Sequence, residues 1–410
     1  MKWLLLAGAL AAGPARAADP PPGPGTEGAT PSKGDADERR RLEEQIAREL
    51  GQQAGSGPAA PAAAAEPPPS PQAGATGGNP FGRLLLLPDI SAIGRGALVW
   101  NQRDVGALSP REGPAAPPGK LEPVFQELEV ALQAVVDPYL RADVFLSFGP
   151  EGAEVEEAYV TTLGLPGGFQ VRAGTLKSPF GRMNQQHPHV WDFVDGPLAL
   201  ARLLAVDTLK GPGLDVSWLA PLPWFAELHL AYQETVPGFE SEGRRTGTAR
   251  LVQFLDLAQG VALGLGASAA RLDEPGLGVW RTLYGGDLFL KVRPPGGRAY
   301  LAVQGEIFGS RLSGTGDPAE ASTRVGGYAY AFLRTSAFWG FGLRWESAPP
   351  EPADAPGREQ RWSALASWYP SEFQRLRLQV SRDRLPDGQT GWEGLLSLEF
   401  AIGAHGAHPF

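Results

Sequence analysis

The feature that most limits what this chain can fold into is a period of two that recurs from residue 84 to the end. In Phe125 to Val136, the apolar Leu128, Val130, Leu132, Ala134 and Val136 alternate with Glu127, Glu129 and Gln133. Leu140, Ala142, Val144, Leu146 and Phe148 oppose Arg141, Asp143 and Ser147 in the same way. Leu376, Leu378 and Val380 oppose Arg375, Arg377 and Gln379, and Leu396, Leu398, Phe400 and Ile402 oppose Ser397 and Glu399. Successive side chains of a strand point to opposite faces, so this is strand periodicity and excludes a helical fold.

The connections sharpen the reading. Seven are very short, at Asp137-Pro138, 166–168, Leu222-Pro223, 258–260, 294–297, Ser336-Ala337 and 370–372. Between them run longer polar stretches, at about 101–122, 149–153, 181–210, 236–247, 272–279, 310–324, 348–359 and 384–390. Seven tight turns alternating with eight long loops give about sixteen strands, with both ends on the short-turn side. A soluble sandwich has no reason to sort its connections by length, whereas a transmembrane barrel does. The apolar face carries Trp, Phe and Leu while the other carries charge, which suits lipid outside and water inside. Aromatics near strand ends, such as Trp218, Trp224, Trp339, Trp345, Trp362 and Trp368, suit interfacial girdles. The expected fold class is therefore all-β, a transmembrane antiparallel β-barrel of about 16 strands in an outer membrane, with membrane lipid as its surroundings. Two segments, 154–163 and 249–257, fit the alternation poorly because both faces mix charge and apolar groups.

The chain ahead of the barrel reads differently. Met1-Lys2, an apolar run to Ala12 and Ala15-Arg16-Ala17 have the form of a signal peptide, 1–17. Residues 18–80 are rich in Pro, Ala and Gly and read as a disordered periplasmic linker. Within it, 36–50 suggests one short helix, since Leu42, Ile46 and Leu50 share a stripe ahead of Gly51. That helix is either a small coiled coil between subunits or a transient turn of a free tail. The barrel occupies 84–410. The chain has no cysteine, which excludes disulfides, a thiolate metal site and lipoprotein anchoring. A net charge of −9 removes the electrostatic reason to expect nucleic acid. No apolar run after the first twenty residues is long enough for a spanning helix.

Several segments carry a family resemblance. Arg172-Ala173-Gly174 followed by Ser178-Pro179-Phe180-Gly181-Arg182 resembles a strand end of phosphate-selective-type porins, and Phe373 to Ser381 resembles their late strands. The ending from Gly403 to Phe410 resembles the tail of barrels labelled zinc-regulated TonB-dependent outer-membrane receptors. The terminal Phe410, with Phe400 and Ile402 in the strand before it, resembles the signal read by the barrel assembly machinery, which would then be a partner. The resemblance implies a porin-like bacterial outer-membrane protein that passes small hydrophilic solutes by diffusion, without a cofactor; barrel size and the tail stripe at Leu42, Ile46 and Leu50 suggest a homotrimer. Two departures limit it. Residues 18–80 cannot form the plug of a TonB-dependent transporter, which has 22 strands. No ladder of lysines and arginines is visible, so phosphate selectivity does not carry over.

Candidate site residues lie in two places. Loop 181–210 holds Arg182, Asn184, Gln185, Asp192 and Asp195, and either folds inward as a constriction, as its counterpart in general porins implies, or covers the rim. Facing the lumen are Glu127, Glu129, Asp143 and Glu157 early in the chain and Arg334, Arg344, Arg375 and Arg377 late in it. They give either a transverse field across the lumen or locally paired charges. His187 and His189 could hold a metal with Asp192, as could His405 and His408 in the tail; His229 beside Glu227 reads as solvated. No G-x-S-x-G and no Ser–His–acid grouping occurs, so an enzyme is not expected. The alternatives left open are a receptor for metal (zinc) uptake and a closed structural or adhesion barrel.

Overall fold

The structure, a computed structural model, describes residues 88–403 apart from 104–110, 205–207, 236–242, 275–278, 314–322 and 351–356. The signal segment 1–17, the linker 18–80 with its helix 36–50, His405, His408 and Phe410 lie outside the described residues.

Sixteen antiparallel strands close on themselves, each paired with its neighbours in sequence and the first with the last. The first half comprises β1 (Asp89–Asn101), β2 (Leu121–Asp137), β3 (Leu140–Gly149), β4 (Gly152–Thr162), β5 (Phe169–Lys177), β6 (Lys210–Leu219), β7 (Phe225–Thr235) and β8 (Arg244–Ala258). The second comprises β9 (Val261–Glu274), β10 (Val279–Val292), β11 (Tyr300–Ser313), β12 (Thr323–Arg334), β13 (Trp339–Ala348), β14 (Glu359–Ser371), β15 (Gln374–Arg384) and β16 (Thr390–Gly403). All seven expected tight turns join strands. Among the connections at the other end whose residues are all described, that between β3 and β4, at Gly149–Gly152, is itself tight.

Local chemistry explains the turns and the seam. Between β2 and β3, Asp137 Oδ1 accepts the backbone N–H groups of Tyr139 and Leu140, which closes the turn without a longer loop. Gly168 has φ +78°, and a Cβ there would lie 2.6 Å from the Leu219 carbonyl oxygen, so only glycine fits. At the closing seam Gly94 of β1 lies opposite Phe400 of β16, whose ring covers the space a Gly94 side chain would need. A single frame shift here would turn β1 inside out.

The outside is apolar and the inside is charged, the reverse of a soluble barrel. Leu98, Leu230, Ile307, Leu343, Leu378, Leu396 and Ile402 are exposed, while Arg95, Glu129, Asp215, Gln304, Arg344, Arg361 and Arg377 are buried. Trp339 pairs with Trp368 across β13 and β14 at the short-turn end, with ring centroids 6.2 Å apart, and Trp345 pairs with Trp362 at the long-loop end. The two pairs are six residues apart along β13, about 20 Å of strand. They mark two aromatic belts around a lipid-facing band, and the barrel is an outer-membrane protein.

The two poorly patterned segments have separate explanations. In β4 the pairing with β3 shifts between Phe145 and Leu146, so Glu156 is an extra residue in a bulge. Both Glu156 and Glu157 then turn inward and are buried. In β8 the inward positions Val252 and Phe254 are apolar because they border the lumen near its short-turn mouth, beside Phe225.

Candidate functional site

Residues 178–204, which follow β5 on the way to β6, lie against inward-facing side chains of the wall. Asn184 ties the base of this loop: its amide donates to the carbonyls of Ser178 (3.0 Å) and Leu209 (3.1 Å), and its Oδ1 accepts the Leu209 N–H at 2.7 Å. Two single 3₁₀ turns, Met183–Gln185 and Pro188–Val190, are followed by the helix α1 (Leu198–Leu203), which begins directly after Gly196-Pro197. A helix of six residues is not stable alone, so packing holds it. Phe180, Met183, Trp191, Phe193, Leu200 and Leu203 form one buried cluster with Leu272 and Leu283, Phe308, Tyr328, Tyr330, Phe332 and Leu365 of β9 to β14. An apolar core thus sits inside the barrel, on one side of it.

The rim of that core is ionic. Asp195 receives Arg344 at 2.6 Å, Arg111 at 2.8 Å, Arg361 at 2.9 Å and the Gln379 amide at 2.7 Å. Burial pushes its carboxyl pKa up, but the Arg361, Arg344 and Arg111 guanidinium groups overcome this and hold it well below the usual carboxylate range. Arg111 belongs to the segment after β1, which also turns inward; the Glu112 carbonyl accepts the Gly196 N–H at 2.7 Å. Arg377 donates to the backbone carbonyls of Trp191 and Phe193, and Arg375 to those of His189 and Trp191, while both also pair with Glu399. Glu346 accepts the Leu198 N–H at 2.7 Å, and Arg202 pairs with Glu359 at 2.7 Å. Burial raises the Asp192 carboxyl pKa above its usual value against the pull of Arg375.

The opposite edge of the loop meets carboxylates. His187 Nδ1 lies 3.1 Å from Glu129 and 3.2 Å from Glu156, and its Nε2 lies 2.9 Å from Glu157. His189 Nδ1 is 3.1 Å from the same Glu129 oxygen. Burial and the Lys177 ammonium push the His187 pKa down, yet Glu156 and Glu129 more than reverse this and it stands well above the ordinary value. Burial prevails at His189, whose pKa falls.

The expected acidic and basic walls are therefore both present, but the loop stands between them and supplies a counter-charge to each. Glu127, Glu129, Arg344, Arg375 and Arg377 are engaged with the loop or with wall partners, Glu127 through Arg95 at 2.7 Å. Asp143 bonds Arg141 and Gln133. Arg334 belongs to a short turn instead, donating to the carbonyls of Ser336 and Ala337 and stacking on Tyr369 at 3.5 Å. Asn184 is fully buried and holds the loop's base, so it does not border solute. His229 is not simply solvated: it lies 3.1 Å from Asp215 and 3.3 Å from Glu227. Glu157, expected on the lumen face, is buried there against His187. Glu156, Lys177, Arg361 and Arg111 were missed by the sequence reading, and the irregular polarity of 154–163 was the available signal for Glu156.

What the loop leaves open is a cavity of about 630 Å³ on the β2–β8 side. Arg182, Gln185 and Gln186 of the loop border it, with Glu129, Asp143, Arg172 and Arg250 from the wall. Arg182 donates to the neutral Gln304 at 3.0 Å and stacks on Phe289 at 4.1 Å.

No family model matches the chain. Among solved structures it resembles the anion-selective porin from Comamonas acidovorans, with a TM-score of 0.55, 12% identity and coverage of 77% of this chain and 99% of that one. OprB of Pseudomonas putida gives a TM-score of 0.56 at 9% identity, covering 78% and 96%. The outer-membrane channel DcaP of Acinetobacter baumannii gives 0.52 at 11%, covering 77% and 97%. At these identities the likeness concerns the fold, that of porin-like outer-membrane barrels. An uncharacterized protein of Aquifex aeolicus (strain VF5) is 31% identical over 389 residues, spanning 81% of this chain and 82% of the relative. The chain belongs to the same family as that Aquifex aeolicus protein.

Proposed function

We propose that this barrel is a porin that lets small hydrophilic solutes diffuse passively along the β2–β8 wall, past a constriction formed by loop 181–210. The observation that carries this reading is the polar cavity of about 630 Å³ beneath Arg182, Gln185 and Gln186. Most of the loop's buried apolar residues are committed to the β9–β14 wall and Val194 to Val99 and Leu395 of β1 and β16, which leaves Arg182, Gln185 and Gln186 to face the open side. Most wall cations beside the cavity are matched: Arg172 with Asp215, Arg250 with Asp287 and Arg141 with Asp143. Arg182 instead hydrogen-bonds a neutral amide, so its charge sets a modest preference for anions. One such cation supports anion preference in general, not a phosphate ladder.

The outward Phe400 and Ile402 on β16 support recognition of that strand by the barrel assembly machinery. Assembly as a homotrimer belongs to the same proposal, with sixteen-strand barrel size as its support, and chemical cross-linking in native membrane tests it.

Planar-bilayer recording of the refolded protein tests the function. Stepwise openings with an anion-favouring reversal potential are expected; a silent bilayer with correctly folded protein would refute conduction. A second reading, a closed structural barrel, is favoured by one observation: Asp195 joins the loop to four wall and segment side chains at once. A silent bilayer is its predicted outcome.

A further inference from the structure

We infer that the outer face of β9–β15, at its long-loop end, docks a phosphate-bearing, multiply acylated glycolipid of the outer leaflet, of lipid A type. Alternation sets the facing of its cations. Ala270 and Leu272 of β9 and Phe308 of β11 point into the packed core, so Arg271 and Arg311 point outward. Arg358, just ahead of β14, and Arg382 of β15 are exposed on the same side of the wall.

These arginines stand in the outer aromatic belt. The Arg271 guanidinium lies 4.3 Å from the centroid of the Trp280 ring. Arg382 is registered opposite Trp362 and lies 5.7 Å from the centroid of the Trp392 ring. Belt tryptophans sit at headgroup level, and the long loops mark the outer leaflet. Among the described residues none of the four arginines pairs with a carboxylate. Arg358 donates to Ser347 Oγ at 3.0 Å and to the Val325 carbonyl at 2.7 Å, both neutral. Arg245 differs, with Asp273 at 3.7 Å. Arg271 and Arg311 are both registered opposite Thr282 of β10, which separates their backbones by two strand spacings, about 10 Å. Unmatched guanidinium groups at that depth suit phosphate, which their planar forks bind bidentately.

A second observation selects a lipid over a soluble anion. An apolar groove of about 820 Å³ crosses the outer face from Leu265 and Leu288 past Ile307 and Val325 to Trp345, and Arg358 borders its long-loop end. The groove exists because Gly286, Gly305 and Gly327 stand at outward positions, opposite Ile307, Leu288 and Ile307 in turn. An acyl chain laid there keeps its headgroup beside the arginines. The same face of a second copy would instead set arginine against arginine. At the same end, β2, β3 and β7 expose Leu121, Phe148 and Tyr232, and Lys210 of β6 is held by Glu154 at 2.7 Å. Docking is therefore confined to one side of the barrel.

The inference needs the outer-membrane setting but not conduction, so its test is separate. The refolded full chain in detergent is titrated with lipid A and followed by native mass spectrometry. We expect a bound lipid A, held about tenfold less tightly by the double variant Arg271→Gln/Arg311→Gln. Lipid A stripped of its phosphates should bind wild type more weakly by a similar factor. Gly286→Leu fills the groove at a point where an added Cβ meets only Ile307, at 3.7 Å, and should also weaken binding. Lys210→Gln should leave it unchanged. Heat-shifted SDS mobility checks the folding of each variant, and should Gly286→Leu misfold, the arginine variant decides. No lipid A on folded wild type, equal binding of the dephosphorylated lipid, equal binding by the double variant or by folded Gly286→Leu, or an equal loss in Lys210→Gln would each overturn the assignment. So would tighter binding of phosphatidylglycerol than of lipid A, which would make the face a phospholipid site.

Discussion

The two halves of the inner wall behave oppositely toward the same loop. On the β9–β16 side it is met by Leu, Phe and Tyr side chains and, around them, by arginines that reach its backbone carbonyls and Asp195. On the β2–β8 side it meets carboxylates at one edge and a cavity of about 630 Å³ at the other. A barrel this wide does not specify where its pore lies; the loop does, by preferring one wall. The apolar contacts supply the attraction, and the buried ions fix the register of the loop against the wall. Buried ion pairs contribute little net stability but are costly to break.

Replacing Asp195 by alanine should have the largest effect, because it leaves Arg111, Arg344 and Arg361 without their shared carboxylate. Loss of one partner of a buried pair costs about 3–5 kcal/mol. The loop should detach and single-channel conductance should rise; unchanged conductance would remove Asp195 from the account. Leu200→Ala comes next, at roughly 2–5 kcal/mol for a fully buried leucine. It should lower the temperature at which the unboiled band is lost, while a Leu343→Ala change on the lipid face should do so far less.

Acid provides a third test. A carboxylate whose pKa is depressed in the folded state adds stability that is complete above its unfolded value, about 3.9, and is lost only as pH falls through the lower folded value. The Asp195 anchorage should therefore be nearly intact at pH 4, weaken progressively below it and be lost only far below that, and conductance recorded from neutral pH down to pH 4 should stay unchanged on its account. Arg182→Gln should be the mildest. It should change stability by about 0.5 kcal/mol or less, since the side chain is partly exposed. The reversal potential should nonetheless move toward cations, and its failure to move would place selectivity elsewhere.

Most of the architecture was legible because a two-residue period and the sorting of turn lengths are local properties of the chain. The sixteen strands, the outward Trp339 and Leu396 and the inward Glu129 and Arg377 follow from them. The bulge at Glu156 was not, since a single extra residue inverts faces and shows in the sequence only as the irregular polarity of 154–163, which does not say where the extra residue sits. The loop's partners were hidden for another reason. Arg344, Arg361 and Arg111 meet Asp195 across 149, 166 and 84 residues of chain, and no spacing rule reaches that far. Arg334 shared its alternation pattern with Arg344 yet serves a turn, because it stands at the strand's end.

The central claim is that water and solute pass on the β2–β8 side and not through the packed half. The chain contains no cysteine, so single cysteines can be placed at will. Single-channel current should be recorded from Gln170→Cys, bordering the cavity, and Ser363→Cys, fully buried on β14, before and after a charged thiol reagent. The account predicts a stepwise fall in current for the first and none for the second. Block at position 363 with an unaffected channel at position 170 would contradict it.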